Sequence, residues 1–370
     1  MALAADGYDV VLYEQYTPGN DRGSSHGRSR IVRLAYPDQE WVRLAAEAIR
    51  GWRELEAESG VGLLELHGLL ELVPNPALGS GPAPGPGSAL ASGPAPGPGS
   101  ALGSGSALAA AGARFEMLTR AQAGERWPVR VPAGCTVLHQ PLAGIVRADL
   151  ALRAFLDGAL SRGARLLQRT RIESVDAVDA DAVVVTAGSW VRRLVPDLPV
   201  RPTRETVAYF HRAGSPLPAV VHIDPAAAGK LMYSLHDPLH GIKAGEHHAG
   251  RYSDPDDGGG PDTETLQRIV AWVAAIHPDA DPTPVAVQTC MYTTTADEGF
   301  ILRRWGRLVV GSACSGHGFK FAPVIGRRLA DLVAEATGGG SGGRTGGRTG
   351  GGTGRGAGGE AGDGTGGSTR

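Results

Sequence analysis

The sequence predicts an α/β protein in which a unit of parallel strands is interrupted by a mainly antiparallel, α+β unit. Three observations predict it. The strand from residue 182 is an unbroken apolar run that breaks into glycine and then helix, as strands buried on both faces of a parallel sheet do, and Arg307-Leu-Val-Val-Gly-Ser312 reads as a second strand before a glycine-rich turn and a closing helix. Residues 9–13 form a short apolar strand that ends at Glu14. A terminal acid there is what the second strand of a dinucleotide-binding βαβ unit carries, where the carboxylate accepts hydrogen bonds from ribose hydroxyls. Between residues 195 and 288 the strands acquire charged flanks, which suits an antiparallel sheet with one wet face.

Taken in order, residues 1–7 read as the last turns of a helix closed by Gly7. The first strand of the βαβ unit and its Gly-x-Gly-x-x-Gly turn belong about 20 residues upstream of Glu14, where this sequence has none. The expected fold therefore lacks its N-terminal βα unit, through a late start or a real absence, and should carry a gap beside unpaired strand edges. Residues 21–36 form a small, polar, basic loop that turns apolar and could lay N–H groups and cations against a phosphate or an electron-rich ring. Trp41, Leu44, Ala48, Trp52 and Leu55 predict a helix over residues 39–59 with these side chains in the core. Residues 77–113 contain Gly-Pro-Ala-Pro-Gly-Pro-Gly-Ser-Ala-Leu twice, from Gly81 and from Gly93, and read as a disordered insert. A helix is expected over 148–162, strands over 165–167 and 170–175, then 206–211, 231–235 and 241–244, and helices over 263–276 and 325–336. Residues 338–370 hold only Gly, Ser, Thr, Arg, Ala, Glu and Asp and cannot bury enough surface to fold.

Bulk properties exclude several classes. The net charge of −2 implies no general attraction to nucleic acid or membrane. Three cysteines, few and odd in number, argue against a disulfide framework and for a reducing compartment. There is no apolar run of about 18 residues and no signal-peptide pattern, so a cytoplasmic protein is expected. The histidines and acids lack metal-ligand spacing, so no metal is expected. Lysine occurs only at 230, 243 and 320, against 33 arginines, which draws attention to each ammonium.

Three motifs together resemble the monomeric sarcosine oxidase and N-methyltryptophan oxidase family. They are Gly-Ser-Ser-His-Gly-Arg-Ser-Arg-Ile-Val-Arg-Leu-Ala-Tyr at 23–36, Thr-Cys-Met-Tyr-Thr-Thr-Thr-Ala-Asp-Glu-Gly-Phe-Ile at 289–301, and Ser-Gly-His-Gly-Phe-Lys-Phe at 315–321. Weaker matches are Glu-Arg-Trp-Pro at 125–128, Thr-Ala-Gly-Ser-Trp at 186–190 and Lys-Ala-Gly-Glu-His at 243–247. The resemblance implies a Rossmann-like FAD-binding domain over 1–65, 140–195 and 289–336, and a substrate domain over 66–76, 114–139 and 196–288. It implies flavin-dependent oxidation of a secondary amine, an N-methyl amino acid, by O2 in a monomer. A cyclic imino acid substrate, or a non-catalytic relative with impaired FAD binding, are the alternatives. Cys290 would bond covalently to the flavin. Arg33 and Lys320 would hold the substrate carboxylate, with Tyr233 and Tyr292 lining the pocket. Lys243 would promote the reaction with oxygen, and Arg30, His26 and His247 would complete the site over the flavin. Glu14, Ser24, Ser25, Ile172, Gly188, Trp190, Gly316, His317, Gly318, Phe319 and Lys320 would contact the cofactor.

Overall fold

The structure, a computed structural model, describes residues 1–74, 104–224 and 230–338. The two proline-rich decamers and the glycine-rich tail lie outside these residues, and with them the disorder expected there.

Apart from one parallel pair within the large sheet, the parallel strands fall into two separate sheets. Val11–Glu14 pairs with Arg165–Gln168 in a two-stranded parallel sheet, from Val11 opposite Arg165 to Glu14 opposite Gln168. Leu308–Ser312 is the centre of a three-stranded sheet, parallel to Val183–Val185 and antiparallel to Ile301–Trp305. The helices Gln39–Ser59, Ala148–Leu160 and Ala322–Ala336 surround them. Ala45, Ile49 and Trp52 of the first helix join Ala151 of the second and Ile325 and Leu329 of the third in one core with Val309 of the central strand. The long helix is bounded as its sequence dictates. Asp38 accepts from the Glu40 N–H at its start, and Gly60 closes it in the left-handed region.

The second unit is a nine-stranded sheet. Its order is Arg251–Tyr252, Arg201–His211, Gly241–Glu246, Lys230–Asp237, Ala219–Asp224, Leu69–Pro74, Cys135–Gln140, Glu116–Leu118, with Pro284–Thr294 also paired to Arg201–His211. Every pairing is antiparallel except that of Ala219–Asp224 with Leu69–Pro74. The helix Thr263–Ile276 covers one face, packing Ile269, Trp272, Val273 and Ile276 on Phe210, Val220 and Ala244. Alternation then sends Val221, next to Val220, to the opposite face, where it lines a cavity. A small antiparallel sheet of Ser29–Val32, Gly144–Arg147 and Leu64–Glu65 lies on that side.

Two expectations are corrected. Residues 170–175 are not a strand: the chain leaves the sheet at Arg169, whose φ is +54°, and makes only the short 3-10 turn Val175–Ala177. Residues 104–113 are not part of a disordered insert. Ser104–Ala110 is a helix with Ala107 and Leu108 in the main core, and the Ser104 hydroxyl donates to Glu71 Oε1 at 3.2 Å. Its small residues disguise a folded helix as low complexity. The strand Pro284–Thr294 runs through residue 289.

Candidate active site

A cavity of about 930 Å³, its open mouth included, lies between the nine-stranded sheet and the two glycine-rich segments at 23–36 and 314–320. Ile31, Val207, Val221, Leu231 and Leu235 supply an apolar wall, and the polar groups that converge on it come from four elements.

The first element is the turn before the helix Ala322–Ala336. A Cβ on Gly318 would overlap the Ala313 carbonyl, and one on Gly316, at φ +74°, would strike the Tyr292 ring. Only glycine at both positions lets the chain fold back tightly enough to bury Lys320. The Lys320 ammonium donates to the Tyr36 hydroxyl at 3.0 Å and to the His317 carbonyl at 3.1 Å, and the Trp52 indole N–H donates to the Lys320 carbonyl at 2.8 Å. The second element is the segment following Ser29–Val32. Gln140 Oε1 accepts from the Leu34 N–H at 2.9 Å and pins it, placing the Arg33 guanidinium 4.9 Å from the centre of the Tyr36 ring. Arg30 turns back to donate to the carbonyls of Ser24, His26 and Ser29.

The third and fourth elements are strands of the large sheet. Lys243 stands opposite Tyr209 and Leu235 on the two neighbouring strands, with its ammonium 5.7 Å from the centre of the Tyr209 ring. Cys290 stands opposite Glu205. Beyond it, Tyr292 faces Nδ1 of His247 at 3.4 Å. His26 meets the Thr289 carbonyl at 3.0 Å through Nε2.

The electrostatics are unusual. Arg33, Lys243 and Lys320 are only 8%, 6% and 2% exposed. The ion pairs among the described residues, such as Lys230–Glu246 and Arg327–Asp6, include none of the three. Burial, with Arg30 second, brings Lys243 down to about 7, and burial with Arg33 second pushes Lys320 well down. Burial, Arg30 and Lys243 lower His26 to about 4. His247 and His317 are also driven down by burial first, so both rings are neutral. Burial raises the Cys290 thiol to about 11 against the pull of Lys243 and Arg30. A cavity lined by buried cations that form no ion pair among the described residues is suited to receive an anion or an electron-rich ring.

Most of the site residues expected from sequence meet here. Ser24, Arg30, Arg33, Tyr233, Lys243, His247, Cys290, Tyr292, Gly316, His317, Gly318, Phe319 and Lys320 line the cavity, and His26, outside the lining, is hydrogen-bonded to the strand that carries Cys290. Ser25 is exposed outside the lining. Glu14, Gly188 and Trp190 sit at the parallel strands: the Glu14 carboxylate accepts from the Tyr16 N–H at 2.8 Å, and the Tyr16 ring meets the Trp190 ring edge-on at 5.9 Å. Ile172 is half-buried in the irregular stretch after Arg165–Gln168. Three participants were not foreseen. Tyr36 joins Lys320 to His317 through hydrogen bonds of 3.0 and 3.3 Å. Cys314 shares the cavity wall with Cys290. Glu71 is fully buried and is raised by burial to about 7, with Arg33 the cation acting on it. The one sequence signal for Glu71 was an acid inside the apolar run Leu69-Leu70-Glu71-Leu72-Val73.

Comparison with known proteins identifies the architecture. The family of FAD dependent oxidoreductases designated DAO matches residues 1–332. The chain belongs to that family. It is 30% identical to the peroxisomal sarcosine oxidase of Mus musculus, over 89% of this chain and 87% of the mouse protein. It is 27% identical to the monomeric sarcosine oxidase of Bacillus sp. (strain B-0618), over 89% and 87%, and 28% identical to the N-methyl-L-tryptophan oxidase of Yersinia pestis (strain Pestoides F), over 86% and 87%. In fold it is similar to NikD, an amino acid oxidase of nikkomycin biosynthesis, with a TM-score of 0.76, 23% identity and 90% of each chain covered. As a member of this family the chain is an FAD-dependent oxidoreductase, and the cavity fits the ring end of that cofactor. It offers an apolar wall, a thiol at Cys290, and buried cations that make no ion pair among the described residues. Among the described residues, no helix is long and apolar enough to cross a membrane.

Proposed function

We propose that this FAD-dependent oxidoreductase oxidises a secondary amine of the N-methyl α-amino-acid type. Amine, O2 and water give the primary amine, formaldehyde and hydrogen peroxide. The observation that carries the proposal is the buried Arg33–Lys320 pair around Tyr36, across one cavity from Lys243 and Cys290. Arg33 supplies a planar fork and Lys320 a point charge for the substrate carboxylate, and Tyr36 fixes the Lys320 ammonium. Their positive field lowers the pKa of the nearby amine and favours its neutral, oxidisable form. When bound, the flavin supplies the two-electron chemistry between amine and O2. Lys243 favours negative charge developing on oxygen. Arg30 and the neutral His247 shape the remaining wall with Tyr233 and Tyr292, and the neutral His26 supports it from the Thr289 carbonyl.

Cys290 carries the cofactor covalently in this reading: it lines the cavity, where Lys243 and Arg30 offset part of the rise that burial imposes on its thiol. The group around Tyr16, with Glu14, Gly188, Trp190 and the nearby Ile172, together with Ser24 and Ser25, is assigned to the remainder of the FAD. The cytoplasmic setting rests on the few, odd cysteines, and the monomeric state on the family resemblance.

The test measures hydrogen peroxide released by the flavin-loaded protein from sarcosine, N-methyltryptophan, pipecolate and proline. Release from either N-methyl compound is expected. Release from the cyclic acids alone would move the substrate class, and release from none would overturn the proposal.

A further inference from the structure

We propose that His247, His248 and Glu298 form a binding site for a first-row divalent cation, Zn2+ being the type, beside the cavity. One candidate ligand atom from each of the three lies within 4.8 Å of the others. The backbone is bent to achieve this. Consecutive residues leaving a strand point to opposite sides, yet the His247 and His248 rings lie with centroids 4.0 Å apart. His248 has φ +56°, and Glu298, in the turn before Ile301–Trp305, has φ +55°. Only four non-glycine residues among those described take up this conformation. Two of the four are in this cluster, and such conformations concentrate at functional sites.

The polar atoms are also left incomplete in the manner a cation would complete. His248 Nε2 is buried without a hydrogen-bond partner. It lies 3.6 Å from Glu298 Oε1, beyond hydrogen-bond length but short enough for both atoms to reach one ion at roughly 2.0–2.2 Å. A metal-bound imidazole keeps its second nitrogen on an outer partner, and the Tyr292 hydroxyl, 3.4 Å from Nδ1 of His247, is placed for that role. Two imidazoles and one carboxylate favour Zn2+ and its neighbours over Mg2+ or Ca2+, which prefer all-oxygen sets. The Arg33 and Lys320 charges that reach His247 oppose a further cation, and the Glu298 carboxylate offsets part of that.

The site deepens the proposed function only in sharing His247 and Tyr292 with it. Its test needs no turnover. Equilibrium dialysis of the tag-free full chain against Zn2+ alone is expected to give one ion per chain. His248→Asn, which suits the left-handed backbone, and the isosteric Glu298→Gln should each weaken binding at least about tenfold, with circular dichroism confirming the fold. If His248→Asn does not fold, Glu298→Gln carries the test. No stoichiometric Zn2+ in the parent protein, or undiminished binding in the folded variants, would overturn the site. Either result leaves the oxidase proposal standing, and failure of peroxide release leaves this site standing.

Discussion

The Lys320 ammonium lies 3.0 Å from the Tyr36 hydroxyl, on the same ring that the Arg33 guanidinium approaches to 4.9 Å. One phenol thus sets the spacing of two buried cations from segments about 290 residues apart. The arrangement has the geometry for a carboxylate and, among the described residues, no salt-bridge partner of its own.

If these cations hold the substrate, Lys320→Met and Arg33→Met should each weaken a simple carboxylate inhibitor. Hydrogen bonds to a charged group contribute about 1.5–3 kcal/mol, so a loss of roughly 10- to 100-fold in affinity is expected. Perturbation of the flavin spectrum on titration measures it. Burial and Arg33 hold Lys320 below the usual lysine range, and an anion restores its charge. Inhibitor affinity should therefore fall as pH rises through the range where Lys320 loses its proton. Unchanged affinity in both variants would remove the carboxylate role.

Lys243→Met separates the two halves of the reaction. Its ammonium lines the cavity on the Cys290 side. Stopped-flow mixing of pre-reduced protein with O2 should show oxidation slowed by about 100-fold, the scale of one preorganised electrostatic group, with much less effect on reduction by substrate. Equal slowing of both halves would point to loss of the fold around the strand instead.

Cys290→Ser should release all flavin to the supernatant on acid precipitation, whereas the parent protein should keep colour in the pellet. Attachment needs thiolate, and the thiol is raised to about 11. Incorporation of added flavin should therefore be faster at pH 9 than at pH 7. A colourless parent pellet after incubation at pH 9 would show non-covalent binding.

Glu71 gives a stability prediction. Its folded-state pKa is raised from the ordinary 4.5 to about 7 by burial. Between those values the folded chain holds a proton that the unfolded chain releases, so this residue makes stability fall as pH rises through that window. Glu71→Gln removes the effect. Its Tm relative to the parent should be higher at pH 8 than at pH 5, by on the order of 2–3 kcal/mol in stability. An identical difference at both pH values would mean that Glu71 does not titrate there.

Much of the fold was legible because local signals agreed with it. The helix Gln39–Ser59 has its cap residues, its periodic core positions and its closing glycine written in order. The apolar strands 183–185 and 308–312 were legible for the same reason. Residues 170–175 misled because alternation alone cannot show that Arg169 turns the chain out of the sheet. Ser104–Ala110 misled because its helix is made of alanine, serine, glycine and one leucine, next to repeats of the same residues. At the site, Lys243, Cys290 and Lys320 stood out through scarcity and motif. The pairing of His248 with Glu298 did not, since the two are 50 positions apart and meet only through two left-handed backbone turns.

The central claim is that the cavity binds an amino acid by its carboxylate while its amine is oxidised. Anaerobic mixing of the flavin-loaded protein with sarcosine, and separately with dimethylamine, tests it most directly. Bleaching of the flavin absorbance by sarcosine is expected, with little or none by dimethylamine, which lacks the carboxylate. Equal bleaching by both, or none by any N-methyl amino acid, would contradict it.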